Sequence, residues 1–122
     1  MQKTKTILVA ENDLYIYTFY NEVLTAAGYN VVWAEDGKKA INIFENRDDI
    51  DLVLMDIEMP IIDGYQATAK IKEINSEIPV IILTAYDLRS AKETAEKANC
   101  NLFLTKPIRS KDLLSSVSEF LD

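Results

Sequence analysis

The chain contains no histidine and only one cysteine, Cys100, in 122 residues. Without an imidazole there is no His-dependent catalytic triad and no zincin-type metal site, and one thiol makes neither an internal disulfide nor a cysteine-rich metal centre. Cys100 therefore reads as a small buried hydrophobe in a reducing compartment. Glycine is scarce, three residues in all, and no Gly-rich phosphate loop or Gly-x-Gly fingerprint occurs, which argues against a flavin or nucleotide binder. No apolar run approaches the ~20 residues of a membrane span. The start, Met1-Gln2-Lys3-Thr4-Lys5, lacks the apolar core of a secretory signal, so the expected location is cytoplasmic. Positive charge is also short: 13 Lys and Arg face 20 Asp and Glu, for a net −7. Such a field repels nucleic acid and anionic membrane, and neither is expected as a direct partner. Any chemistry must come from carboxylates, hydroxyls, lysine and backbone.

What remains is an ordinary globular balance, 48% hydrophobic against 27% charged, at a length suited to one domain, expected to span residues 1–122 with no effector domain visible. Short apolar runs (Thr6–Ala10, Val31–Ala34, Leu52–Met55, Val80–Leu83 and Leu102–Leu104) alternate with segments of helical period. The middle three runs lack polar alternation, as strands covered on both faces do. Ile16, Phe19, Tyr20, Val23, Leu24 and Ala27 mark a first helix that Gly28 closes. Ala40, Ile41 and Phe44 mark a second, and Ala67, Ile71 and Ile74 a third. Ala91, Ala95 and Ala98 mark a fourth, and Leu113, Leu114, Val117 and Leu121 a fifth. Strict alternation of strand and helix predicts an α/β layer fold with a parallel sheet, whose site lies beyond the carboxyl ends of the strands.

The residues at those ends are polar and of few kinds: Glu11-Asn12-Asp13 after the first run, Asp56 after the third, Thr84-Ala85 after the fourth, Lys106-Pro107 after the fifth. Glu11, Asn12 and Asp56 offer hard oxygen donors suited to magnesium, and Lys106 offers a fixed positive charge. Taken singly, each has an ordinary explanation, Asp13 as a helix cap, Thr84 as a turn former and Lys106 as a solvated charge. Together they describe a small site for an anion plus a divalent cation.

Leu54-Met55-Asp56-Ile57-Glu58-Met59-Pro60 followed by Asp63-Gly64, then Leu83-Thr84-Ala85, then Lys106-Pro107, resemble the receiver domains of two-component response regulators over the whole chain. The local wording is most similar to receivers of hybrid histidine kinases or single-domain regulators. The resemblance implies a flavodoxin-like (βα)5 doubly wound fold with strand order 2-1-3-4-5. It further implies that Asp56, open to solvent in a cation-lined hollow, takes a phosphoryl group from a phosphohistidine on a histidine kinase or histidine phosphotransfer protein. Glu11, Asn12, Asp56 and the Glu58 carbonyl would hold Mg2+, Thr84 and Lys106 would meet the phosphoryl oxygens, and Ala85 would leave the site open. Thr84 and Phe103 would form the switch, Phe103 equally reading as core, and the Lys106–Pro107 bond would be cis. The chain would catalyse only its own phosphoryl transfer and dephosphorylation, as a monomer or a weak phosphorylation-dependent dimer.

One position departs from the family pattern: Asn12 stands where a second acid is usual. An amide oxygen ligates magnesium without charge, so weaker metal binding is expected, and a degenerate, phosphorylation-independent interaction module is the alternative. An aspartate-nucleophile phosphatase would resemble a pattern with Asp two residues after the nucleophile, where this chain has Glu58. The first helix carries a wider apolar arc than core burial needs. By resemblance its Tyr15, Ile16 and Phe19, with Pro107 and Ile108, would dock the partner. Tyr29 and Trp33 read as structural, and Tyr65 and Tyr86 as loop residues near the site.

Overall fold

The computed structural model describes residues 3–85 and 99–122. Its elements are β1 (Thr6–Ala10), α1 (Leu14–Ala26), β2 (Asn30–Ala34), α2 (Gly37–Asn46), β3 (Leu52–Asp56), α3 (Gly64–Ile74), β4 (Val80–Thr84), β5 (Leu102–Thr105) and α4 (Ser110–Leu121). All strand pairs are parallel, in the order β2-β1-β3-β4-β5, the order the resemblance implied. The helix expected around Ala91, Ala95 and Ala98 lies outside the described residues, as does Tyr86. Among the described residues no helix is long and apolar enough to cross a membrane.

The apolar runs of the inner strands are two interleaved faces. Leu8, Ala10, Val53, Met55, Val80 and Ile82 pack with Ala40 and Phe44 of α2 and with Ala67 and Ile71 of α3. The alternate residues Ile7, Val9, Leu52, Leu54, Ile81 and Leu83 pack with Tyr20 and Leu24 of α1 and with Leu113 and Val117 of α4. Every residue of β1, β3 and β4 is buried. At about 25 cal/mol per Å2 of apolar surface removed from water, this two-sided burial is the main stabilising contribution. β2 differs from expectation. It is an edge strand, and Val31, Val32 and Trp33 are only half-buried. Ile74 of α3 also turns outward, 46% exposed.

The turns that deliver the site are set locally. Asp13 caps α1, its Oδ1 accepting the Tyr15 and Ile16 N–H groups at 2.8 and 3.2 Å. At the other end Gly28 takes φ +97°. Its N–H donates to the Thr25 carbonyl at 3.0 Å and that of Tyr29 to the Leu24 carbonyl at 3.1 Å, the paired closure that a left-handed residue permits. Gly64 opens α3 hard against β3. A Cβ there would collide with the Asp56 carbonyl oxygen and sit 2.8 Å from Ile57 Cα, so only glycine lets the helix start this close to the strand end. Because the connections from β1 and β3 run to opposite sides, a crevice opens between their carboxyl ends.

Candidate functional site

Three side chains from three elements meet in that crevice. Glu11 follows β1, Asp56 ends β3 and Lys106 follows β5. The Lys106 Nζ stands 2.9 Å from Asp56 Oδ1 and donates to Glu11 Oε1 at 3.1 Å. Glu11 Oε2 accepts the Asp13 N–H at 3.1 Å. The main chain supports the lysine, whose N–H donates to the Thr84 carbonyl at 2.7 Å, and the Lys106–Pro107 peptide is cis. Thr84 is wholly buried at the end of β4, while Asn12 and Glu58 lie exposed at the rim.

The sequence placed Asp56 in an open hollow. The structure corrects this: its side chain is 3% exposed, roofed by the ammonium of Lys106, itself 16% exposed. Buried Oδ1 has that ion contact but no aligned hydrogen bond. Burial pushes the Asp56 carboxyl up to about 6, the Lys106 ammonium pulls it down, and Glu11 adds a smaller upward push. Lys106 is also raised, because its contacts with Asp56 and Glu11 together outweigh the lowering by burial. Both groups thus hold their protons more tightly than usual. Two buried carboxylates sharing one ammonium leave an excess of negative charge, which a cation relieves.

That imbalance, the unaligned Oδ1 and an all-oxygen donor set fit a magnesium ion at Glu11 and Asp56. The fit is lean: among the described residues no three Asp, Glu, His or Cys side chains gather into a metal cluster, which matches an amide rather than an acid at Asn12. Asp13, the acid after Asn12, spends Oδ1 on the cap of α1.

The remaining residues fall into two groups. Tyr15, Ile16, Phe19, Pro107 and Ile108, predicted as docking residues, do come together, lining with Tyr20, Ala85 and Lys106 a shallow hollow of about 540 Å3 beside the lysine. Tyr15 is 86% and Phe19 40% exposed. Burial pushes the Tyr20 phenol at its base up to about 12, which keeps it neutral. Phe103 is half-buried against the α2/α3 face of the core, as is Cys100. Tyr65 is a correction, for it belongs to the first turn of α3 rather than a loop and packs on the same face. Sequence reasoning missed one contact entirely. The Trp33 indole N–H donates to the Glu11 carbonyl at 2.9 Å, and its ring stacks on Tyr17.

The response regulator receiver domain family matches residues 7–118. YbdJ, an uncharacterized transcriptional regulatory protein of Bacillus subtilis, is 33% identical over 116 residues, covering 95% of this chain and 50% of its own length. Hybrid signal transduction histidine kinase I of Dictyostelium discoideum is 32% identical over 120 residues, 92% of this chain and 7% of the kinase. The chain thus spans half or less of the length of these relatives. Among solved structures, the receiver domain of the sensor histidine kinase PA1611 from Pseudomonas aeruginosa, with a magnesium ion coordinated in its active-site cleft, aligns at TM-score 0.89. It is 30% identical, and the alignment covers 97% of this chain and 98% of that one.

Proposed function

The chain belongs to the response regulator receiver domain family of two-component systems, and on that premise we propose that Asp56 accepts a phosphoryl group from a phosphohistidine on a partner, a histidine kinase or histidine phosphotransfer protein. A carboxylate oxygen of Asp56 attacks phosphorus, the P–N bond breaks, and its electron pair leaves with the partner's imidazole nitrogen. An acyl phosphate replaces the phosphoramidate. Glu11, Asp56, Asn12 and the Glu58 carbonyl would hold Mg2+, which when bound supplies positive charge to the phosphoryl oxygens.

The protein's own contribution is positioning and charge. Lys106 releases Asp56 Oδ1 as the phosphoryl group enters, and its flexible stem lets the ammonium follow the charge onto a phosphoryl oxygen. Thr84 donates its hydroxyl to a second oxygen, and Ala85 leaves room for the group. The added charge, nearly two units negative, draws on Lys106 and Thr84, and Phe103 repacks in response. Lacking a phenolic hydroxyl, Phe103 acts through packing alone. The hollow at Tyr15, Ile16, Phe19, Pro107 and Ile108 receives the partner. The setting is the cytoplasm, the form a monomer or weak phosphorylation-dependent dimer, and the chain turns over no substrate beyond its own phosphoryl group.

The observation that carries this reading is the Glu11–Lys106–Asp56 cluster at the strand ends. Incubation with Mg2+ and a small phosphodonor such as acetyl phosphate, followed by intact-mass measurement, should add one phosphoryl group to the wild type and none to Asp56→Asn. If neither a small donor nor a cognate kinase adds mass to the wild type, the proposal fails. Asn12, and the lack among the described residues of a third acid gathered with Glu11 and Asp56, support a second reading, an interaction module indifferent to phosphorylation. It predicts equal partner affinity for wild type and Asp56→Asn in phosphorylating conditions.

A further inference from the structure

Trp33 is the only tryptophan in the chain, and the phosphoryl chemistry above leaves it without a task. It lies on edge strand β2, opposite Val9 of β1. Its indole N–H donates to the Glu11 carbonyl at 2.9 Å, while one residue on, the Ala34 carbonyl accepts the Glu11 N–H at 3.0 Å. Both main-chain groups of Glu11 are thereby tied to β2. The indole is held in turn by α1, stacked on Tyr17 with ring centroids 4.5 Å apart and planes 12° from parallel. Strand, turn and helix are joined at the residue whose carboxylate faces Lys106 and Asp56.

We propose that Trp33 is a positioning residue that sets the affinity of this site for a divalent cation. The inference rests on Glu11 and Asp56 being the cation's charged ligands. A site with two carboxylates and a neutral amide has little charge with which to recruit an ion, so its affinity depends on ligands held in place before the ion arrives. Groups that orient metal ligands commonly govern affinity as strongly as the ligands' own neighbours allow. The indole orients Glu11 through its carbonyl. Its loss frees the Glu11–Asp13 turn to sample arrangements in which the Glu11 carboxylate no longer faces Lys106 beside Asp56. Tyr17 acts one step further out, by keeping the indole plane where its N–H meets the carbonyl.

The test titrates Mg2+ alone, by calorimetry well below the unfolding temperature, into the wild type, Trp33→Phe, Tyr17→Phe and Tyr17→Leu, with thermal unfolding recorded for each. Trp33→Phe keeps an aromatic ring and loses only the donor, and should raise the Mg2+ Kd about fivefold, the worth of one hydrogen bond. Tyr17→Phe should bind as the wild type does, and Tyr17→Leu should fall between. Tryptophan emission of the wild type should shift along the same saturation curve. A purely structural role would lower the unfolding temperature and leave Kd unmoved, so equal Kd values for wild type and Trp33→Phe overturn the proposal. So does emission that ignores Mg2+ while calorimetry records saturable binding. If Trp33→Phe does not fold, Tyr17→Leu and the emission curve decide. Absence of saturable binding to the wild type defeats the cation assignment itself, and with it this inference.

Discussion

Two buried polar side chains carry opposite lessons at the scale of single residues. Asp56 tolerates burial because an ammonium stands 2.9 Å away. Removing that ammonium leaves a desolvated charge, which costs several kcal/mol or protonates. Thr68 of α3 is equally buried, and its Oγ1 has no hydrogen-bond partner among the described residues. Thr68→Val, which keeps the shape and removes the unpaired hydroxyl, should therefore raise stability by about 1 kcal/mol in urea unfolding. The two were unequally legible. A lone Asp behind Leu52-Val53-Leu54-Met55 stands out in the sequence, and Lys106 was recognisable beside Pro107. That the lysine closes over Asp56 rather than flanking an open hollow depends on a side chain fifty positions away, which no local pattern records. The Trp33–Glu11 bond, 22 positions apart, was hidden for the same reason.

Among the described elements, the segment between β3 and α3 is tightly constrained. Gly64 admits no Cβ without collision against the β3 backbone, and Ile61 takes φ +73° although β-branched and 74% exposed. A left-handed conformation costs an L-residue roughly 1–2 kcal/mol and an asparagine less. Ile61→Asn should accordingly stabilise the fold by about 1 kcal/mol, read as a rise in the urea midpoint without a change in slope. Gly64→Ala should do the reverse, losing about 3 kcal/mol as α3 is pushed off the strand that carries Asp56. Most elements could be read from periodicity, because two-sided burial in β3 and β4 and one-sided burial in α2 and α4 impose distinct spacings. Position in the sheet could not. Val31-Val32-Trp33-Ala34 is as apolar as an inner strand, and only the order in which strands pair makes it an edge.

For the whole molecule, a chain of net −7 bears, among the described residues, an apolar hollow beside the Glu11–Lys106–Asp56 cluster. On the proposed function, a partner would be recognised by shape and apolar contact close to the lysine rather than by a broad basic face. Phe19→Ala, on the rim of the hollow and outside the charged cluster, should slow phosphoryl transfer from a cognate kinase about tenfold, the usual loss for an interface anchor. Labelling by a small phosphodonor should proceed at the wild-type rate, and a mass time course with each donor separates the two effects.

The bond from Lys106 to Glu11 spans 95 positions of the chain, so the Glu11–Lys106–Asp56 cluster cannot form until the chain has been made through Lys106. Strand β5 must be laid down beside β4 before the lysine reaches its carboxylates. Chains still emerging from the ribosome, with β1 and β3 already made, hold both carboxylates but not the ammonium that pairs them. The two buried carboxylates thus stay uncompensated until β5 has paired with β4, which makes that pairing the precondition of the whole cluster.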